Sequence, residues 1–162
     1  MAIDSGLFRT IIGNFATGVT VVTTANDGLL HGVTANSVTS LSLDPLLLLV
    51  CIDKKAHAHS EMEKCASFGV SILGADQAGL SELFARPGEP EKGSLSGAAW
   101  RYGPGGSPLL EGALAWLECR VRERLNGGDH TIFVGEVIDG EAVRAEAAPL
   151  LYFRGGYRRL AC

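Results

Sequence analysis

Residues 117–138 read LECRVRERLNGGDHTIFVGEVI. From Leu117 to Arg124 the side-chain character alternates, with Leu117, Cys119, Val121 and Glu123 on one side and Glu118, Arg120, Arg122 and Arg124 on the other. Successive strand residues point to opposite faces, so this stretch predicts a strand with one dry face and one wet face. Asn126-Gly127-Gly128-Asp129 supplies turn chemistry, and TIFVGEVI at 131–138 returns as the partner strand.

The same vocabulary recurs upstream. Leu7, Ile11, Ile12 and Phe15 repeat at helical spacing and predict an amphipathic first helix that stops near Gly18. The β-branched run GVTVVTT at 18–24 predicts a strand, Asn26-Asp27-Gly28 a turn, and about 30–38 the returning strand. After the break at Asp44-Pro45, residues 46–52 run apolar without alternation, which predicts a central strand covered on both faces. A short helix over 56–64, a strand over 66–73 and a helix over 76–86 follow, the last with Leu80, Leu83 and Phe84 facing inward. Residues 87–108, rich in Gly, Pro and Ser, are expected to be a long surface loop, and LLYFR at 150–154 a final strand.

Six or seven strands joined mostly by hairpin turns, with two or three helices between them, do not give a βαβ alternation. No G-x-G-x-x-G follows the first strand. The expected fold class is mainly β: one antiparallel barrel with peripheral helices, formed by a single domain over residues 1–162. Barrel closure removes exposed sheet edges.

Composition narrows the function. The chain has 162 residues, 46% apolar and 20% charged, enough to bury one core. Its net charge of -4, from 14 basic and 18 acidic side chains, argues against a nucleic-acid partner. An oligonucleotide-binding barrel is also disfavoured because Phe8, Phe15, Phe68, Phe84, Phe133 and Phe153 mostly occupy core-like positions. The longest apolar run, 46–52, is far shorter than the roughly 20 residues of a membrane span. The first residues do not read as a secretory signal, so a cytoplasmic location is expected. Cys51, Cys65, Cys119 and Cys162 form no C-x-x-C pair; reduced thiols are expected, with Cys51 and Cys119 as small core residues.

The catalytic inventory is thin: no G-x-S-x-G, Walker loop or H-E-x-x-H occurs, and no metal centre is expected. His57 and His59 fall on different sides of the expected helix, and His57 with Glu61 is the one pair on a common face. Three segments remain. VTANSVTSLS at 33–42 places Thr34, Asn36, Ser37, Thr39, Ser40 and Ser42 in strand territory. Its hydroxyls suit either an edge strand satisfying its own backbone or a grip on the polar edge of a ligand. Cys51-Ile52-Asp53-Lys54-Lys55-Ala56-His57 runs from the buried strand toward a helix start, an anion-binding arrangement or a routine turn. Gly127-Gly128-Asp129-His130 closes a hairpin and places His130 where a loop enters a strand.

TGVTVVTT at 17–24, VTANSVTSLSLDP at 33–45, CIDKKAH at 51–57, GVSIL at 69–73, GGDH and VGEV occur here in a characteristic order and spacing. The set resembles the short-chain flavin reductases, the reductase components of two-component flavin-dependent monooxygenases, over about residues 8–160. The resemblance implies a Greek-key split barrel, a homodimer with flavin near the subunit interface, and hydride transfer from NADH or NADPH to FMN or FAD. It implies flavin contacts at Thr34, Ala35, Asn36, Ser37 and Ser40, and at Cys51, Ile52, Asp53 and Lys54 along the ring and phosphate. Phe84 and Ala85 match a segment near the cofactor, and His130 matches a histidine on the nicotinamide side. A flavin-dependent monooxygenase receiving reduced flavin is the implied partner, with neither nucleic acid nor membrane involved. A flavin- or haem-binding split barrel without turnover is the alternative. The chain departs from the family at Pro45-Leu46, where relatives read Pro-Pro, and at 55–59, where KAHAH replaces a Ser/Thr-rich segment.

Overall fold

The computed structural model describes residues 2–86, 91–92 and 95–160. Strands β1 (Thr17–Gly18), β2 (Thr20–Asn26), β3 (Leu29–Ala35), β4 (Val38–Leu43) and β5 (Leu46–Asp53) follow helix α1 (Ser5–Ile12). Helix α2 (His59–Met62), strand β6 (Ser67–Ile72) and helix α3 (Ala78–Ala85) come next. Then follow β7 (Glu91–Lys92), β8 (Trp100–Tyr102), β9 (Pro108–Leu110), β10 (Ala115–Gly127), β11 (His130–Ala142), β12 (Leu151–Phe153) and β13 (Gly156–Arg158).

The main sheet runs in the order β4-β5-β11-β10-β6-β2-β3-β7, with neighbouring strands antiparallel. Seven of its eight strands are long and β7 is a two-residue addition, in line with the expected strand number. The sheet curls until Leu48, Val50 and Ile52 of β5 share one core with Val22 and Ala35 of β2 and β3. Phe68, Cys119 and Phe133 fill its centre. A second cluster, with Val19, Val21, Leu30, Leu73 and Leu150, lies under α3, where Phe84 packs and Leu80 and Leu83 flank it as the periodicity required.

The turns follow their residues. Asp27 and Gly28 both have positive φ (50° and 76°), the pattern of a type I′ hairpin turn. The later turn is tighter than expected: Asn126 and Gly127 stay in β10, and only Gly128 and Asp129 lie outside the ladder, with Gly128 at φ 79°.

Several expectations are corrected. The first helix ends at Gly13, not near Gly18, because Asn14 turns its amide back onto the Thr10 and Ile11 carbonyls. The strand expected over 30–38 is broken at Asn36-Ser37 into β3 and β4, which pair with different neighbours. The helix expected over 56–64 shrinks to α2, so β5 does not lead directly into a helix start. The loop expected over 87–108 contains the β8–β9 hairpin, although 87–90 and 93–94 lie outside the described residues.

Strand β5 is not covered on both faces: Leu48, Val50 and Ile52 are buried, while Leu47, Leu49 and Cys51 are half-exposed. Glu118 is not on a wet face. It keeps its place on the face opposite Cys119, but the turn of the β8–β9 hairpin covers that face, so Glu118 is fully buried and accepts from the Gly105 and Ser107 N–H groups at 2.7 and 2.6 Å. Cys65, not Cys51, joins Cys119 in the core, and burial pushes the Cys119 thiol up to about 12. Phe8 and Phe15 are exposed rather than core-like. Among the described residues no helix is long and apolar enough to cross a membrane.

Candidate active site

The break between β3 and β4 builds the site. Asn36 leaves the ladder there and donates to the Thr17 hydroxyl at 3.2 Å, while the Ser37 carbonyl accepts from the Cys51 N–H at 3.0 Å. Asn is poorly placed inside a strand, and here it sits in the gap between two. Asn36 and Ser37 face a cleft of about 710 Å³ that Leu49 and Cys51 border from the outer side of β5. Its other walls are Arg9 and Ile12 of α1, Phe15, Val38 and Tyr152. Amide and hydroxyl groups therefore line an otherwise apolar slot in which Arg9 is the one charged side chain. Burial raises the Cys51 thiol above its ordinary value, so this wall stays neutral.

Two residues further along the same face of β5, about 7 Å away, Asp53 borders a second cleft of about 280 Å³. Gly32, Phe84 and Ala85 line it with Lys55, His57 and Arg86. The ring of Phe84 lies so close to Gly32 that a Cβ there would come within 2.7 Å of it. Here cationic and titratable side chains replace the neutral lining of the first cleft. The Asp53 carboxylate accepts from the Lys55 N–H at 2.8 Å and bends the chain around this end.

The expected site residues thus separate into groups. Asn36, Ser37 and Cys51 meet at the first cleft; Asp53, Phe84 and Ala85 meet at the second. Thr34 donates to the Ser81 carbonyl at 2.6 Å, tying β3 to α3, and Ala35 and Ile52 are core residues behind the clefts. Ser40 is exposed on edge strand β4, opposite Leu48. Lys54, expected at the flavin border, turns its ammonium elsewhere, onto Asn126 and Gly128 of the β10–β11 turn. His130 opens β11 opposite Asp53, half-exposed, and its Nδ1 donates to Asp129 at 2.7 Å. That hydrogen bond is the main reason the Asp129 carboxyl lies below its usual value.

Sequence reasoning did not single out Arg9, Thr17, Tyr152 or Arg86 as lining residues. Arg9, Thr17 and Tyr152 reach the first cleft from three separate elements, two of which, β1 and β12, pair with Thr17 opposite Tyr152. Long-range pairing of this kind leaves no local signal. His59, set apart from the site, instead joins Thr131 (2.8 Å) and Glu63 (3.4 Å).

A flat heteroaromatic ring with a polar edge and a phosphate-bearing tail fits this donor set: a largely apolar slot with Arg9 as its charged side chain, and a second, mainly cationic cleft farther along the same face of β5. The comparisons agree with the geometry. The family described as flavin reductase like domain matches residues 12–161. A Rhodococcus opacus protein, the reductase component of 4-nitrophenol 4-monooxygenase/4-nitrocatechol 2-monooxygenase, is 41% identical over 96% of this chain and 80% of its own length. The NADH-dependent FAD reductase of Streptomyces globisporus is 42% identical over 98% of this chain and 87% of that one. A solved structure of a Streptomyces globisporus NADH:FAD oxidoreductase in complex with NAD and FAD fragments superposes with a TM-score of 0.89 at 38% identity, covering 99% of this chain and 97% of that one. Slot, charged end, strand order and likeness along almost the whole chain converge: the chain belongs to the family of flavin reductase like domains.

Proposed function

We propose that this chain is an NADH-dependent flavin reductase that supplies reduced FAD to a flavin-dependent monooxygenase. The observation that carries the reading is the outer face of β5, where Leu49 and Cys51 border a largely apolar slot and Asp53 borders a mainly cationic cleft two residues on. Relatives named as an NADH-dependent FAD reductase and as a monooxygenase reductase component support the choice of FAD, NADH and partner.

Bound flavin supplies a two-electron acceptor for the hydride of NADH, so the protein's work is binding and alignment. Asn36 and Ser37 offer hydrogen bonds to the polar edge of the ring, with Leu49, Val38 and Tyr152 as its apolar walls. The Cys51 thiol, kept protonated by burial, adds no negative charge where reduced flavin carries one. Lys55 and Arg86 offer charge to the phosphate end, and the Phe84 ring on Gly32 closes its floor. Thr34, Ala35 and Ile52 hold these elements from behind. His130 positions the nicotinamide and is not an obligatory proton donor. A slot in which Arg9 is the one charged side chain and the other donors are neutral grips flavin only moderately, which suits release to a second enzyme.

Residues 1–162 act as one domain, as a homodimer. Leu7, Phe8, Ile11 and Ile12 expose an apolar stripe on α1 beside Arg9 and Ile12 of the first cleft, so a second copy covering the stripe also borders the flavin. Cytoplasmic location agrees with NADH as the reductant and with free Cys51, Cys65 and Cys119.

The deciding experiment follows NADH consumption by the purified protein with FAD added, with FMN and NADPH as comparators. Turnover with NADH and FAD, and flavin lost on gel filtration, are expected. Flavin uptake without NADH consumption would leave a flavin-binding protein; absence of both overturns the reading. His130→Ala is expected to raise the KM for NADH roughly tenfold, the worth of about one hydrogen bond, with FAD affinity retained.

A further inference from the structure

Three independent contacts converge on the turn between β10 and β11. Lys54, the first residue after β5, donates from Nζ to Asn126 Oδ1 at 2.7 Å and to the Gly128 carbonyl at 2.6 Å. Its backbone N–H donates to the Asp129 carbonyl at 2.9 Å. The Asp129 carboxylate in turn accepts from His130 Nδ1 at 2.7 Å.

Closing the hairpin does not require this bracing. Gly128 already takes the positive φ that a two-residue turn needs, and the ladder runs without a gap through Asn126–Thr131 and Gly127–His130. An exposed lysine ordinarily leaves its ammonium in water, because fixing the long stem costs rotamer entropy. Lys54 gives up that freedom to tie the end of β5 to the turn that carries His130. Asp129 needs such support: its side chain is 86% exposed, and without a fixed backbone it would hold the imidazole through a freely rotating carboxylate.

The brace has a consequence for the ring. With Nδ1–H committed to Asp129, the neutral imidazole carries its lone pair on Nε2, which can then act as an acceptor. A carboxamide N–H of nicotinamide is the chemical partner for such an acceptor.

We propose that Lys54 is a positioning residue for nucleotide binding: by bracing the Asn126–Asp129 turn it fixes the Asp129–His130 pair, so that His130 offers Nε2 to the nicotinamide carboxamide. The proposal rests on the reading of His130 given above. It also gives Lys54 a role in place of a contact to flavin phosphate.

The test combines Lys54→Met and Lys54→Arg with His130→Ala. Three quantities are measured: KM for NADH, FAD affinity by fluorescence titration, and the His130 tautomer by long-range proton–nitrogen NMR. Lys54→Met is expected to raise the KM about threefold to tenfold with FAD affinity unchanged, and to turn the single His130 tautomer into an average of two. Lys54→Arg, which reaches both acceptors, is expected to restore the KM and the tautomer. In the His130→Ala background Lys54→Met is expected to add nothing, since both act through one group.

Additive effects, an unchanged tautomer, or loss of FAD affinity in place of the KM effect would overturn the proposal. The last of these outcomes would return Lys54 to the flavin phosphate. Failure of the brace alone shows as a raised KM in His130→Ala and a normal one in Lys54→Met. A normal KM in His130→Ala overturns the His130 reading, and this proposal with it.

Discussion

Helices α1 and α3 have the same length and both carry apolar stripes, yet they spend them in opposite ways. Helix α3 seats Phe84 and Ser81 against the barrel, anchored by Thr34 from β3 and by Tyr157, whose hydroxyl lies 2.7 Å from Ser81 Oγ. Helix α1 buries none of its residues, and Leu7, Phe8, Ile11 and Ile12 are each close to half exposed. The stripe with the stronger helical pattern is the one left outside. Amphipathicity reports that a face will be covered; it does not say whether the cover belongs to the same chain.

Removing Phe84 tests the inward helix. Phe84→Ala is expected to cost about 3 kcal/mol, because the cavity left on Gly32 cannot collapse, and the urea midpoint should fall accordingly. The same variant should weaken FAD binding by opening the second cleft. A smaller effect is expected from the outward helix. Ile11→Ser should raise the dimer dissociation constant roughly tenfold, measured by sedimentation, while leaving the stability of the isolated protomer nearly unchanged. If Ile11→Ser destabilised the protomer as Phe84→Ala does, the contrast between the helices would be gone.

The smallest effect concerns pH. Asp76, just before α3, accepts from both Arg144 terminal nitrogens at 3.0 Å, and this pairing holds its carboxyl below its ordinary value. A depressed folded value adds stability above the unfolded one and loses it as pH falls through the folded one. Wild type should therefore be slightly more stable than Arg144→Ala near neutrality, with the difference vanishing in acid. Urea midpoints from about pH 6 to about pH 2 measure it. The effect should be small because the pair is exposed to solvent.

The barrel was legible because its signals are local: the strand pair on either side of the 128–129 turn, the Asp27-Gly28 turn and the inward face of α3 all stand where the sequence puts them. What misled was pattern read without what covers each face. Glu118 does belong by parity to the outer face, but the turn of the distant β8–β9 hairpin covers that face and buries it. The unbroken apolar run at 46–52 suggested two covered faces, whereas one of them is the wall of the cleft. The site was half legible. Asn36, Ser37 and Cys51 were found because their types or the family pattern marked them. Arg9, Thr17 and Tyr152 were not: β1–β12 pairing sets Thr17 against Tyr152 from opposite ends of the chain, and Arg9 lines the same cleft from α1.

Strand β5 carries two obligations in a single line of eight residues. Leu48, Val50 and Ile52 hold the barrel shut, and the odd-numbered members from Leu49 to Asp53 meet the solvent-facing clefts. A saturation scan along it should oscillate with a period of two, damage alternating between protein abundance and turnover. Engineers wishing to retune which electron carrier this scaffold accepts therefore have positions 49, 51 and 53 at their disposal without touching its foldability.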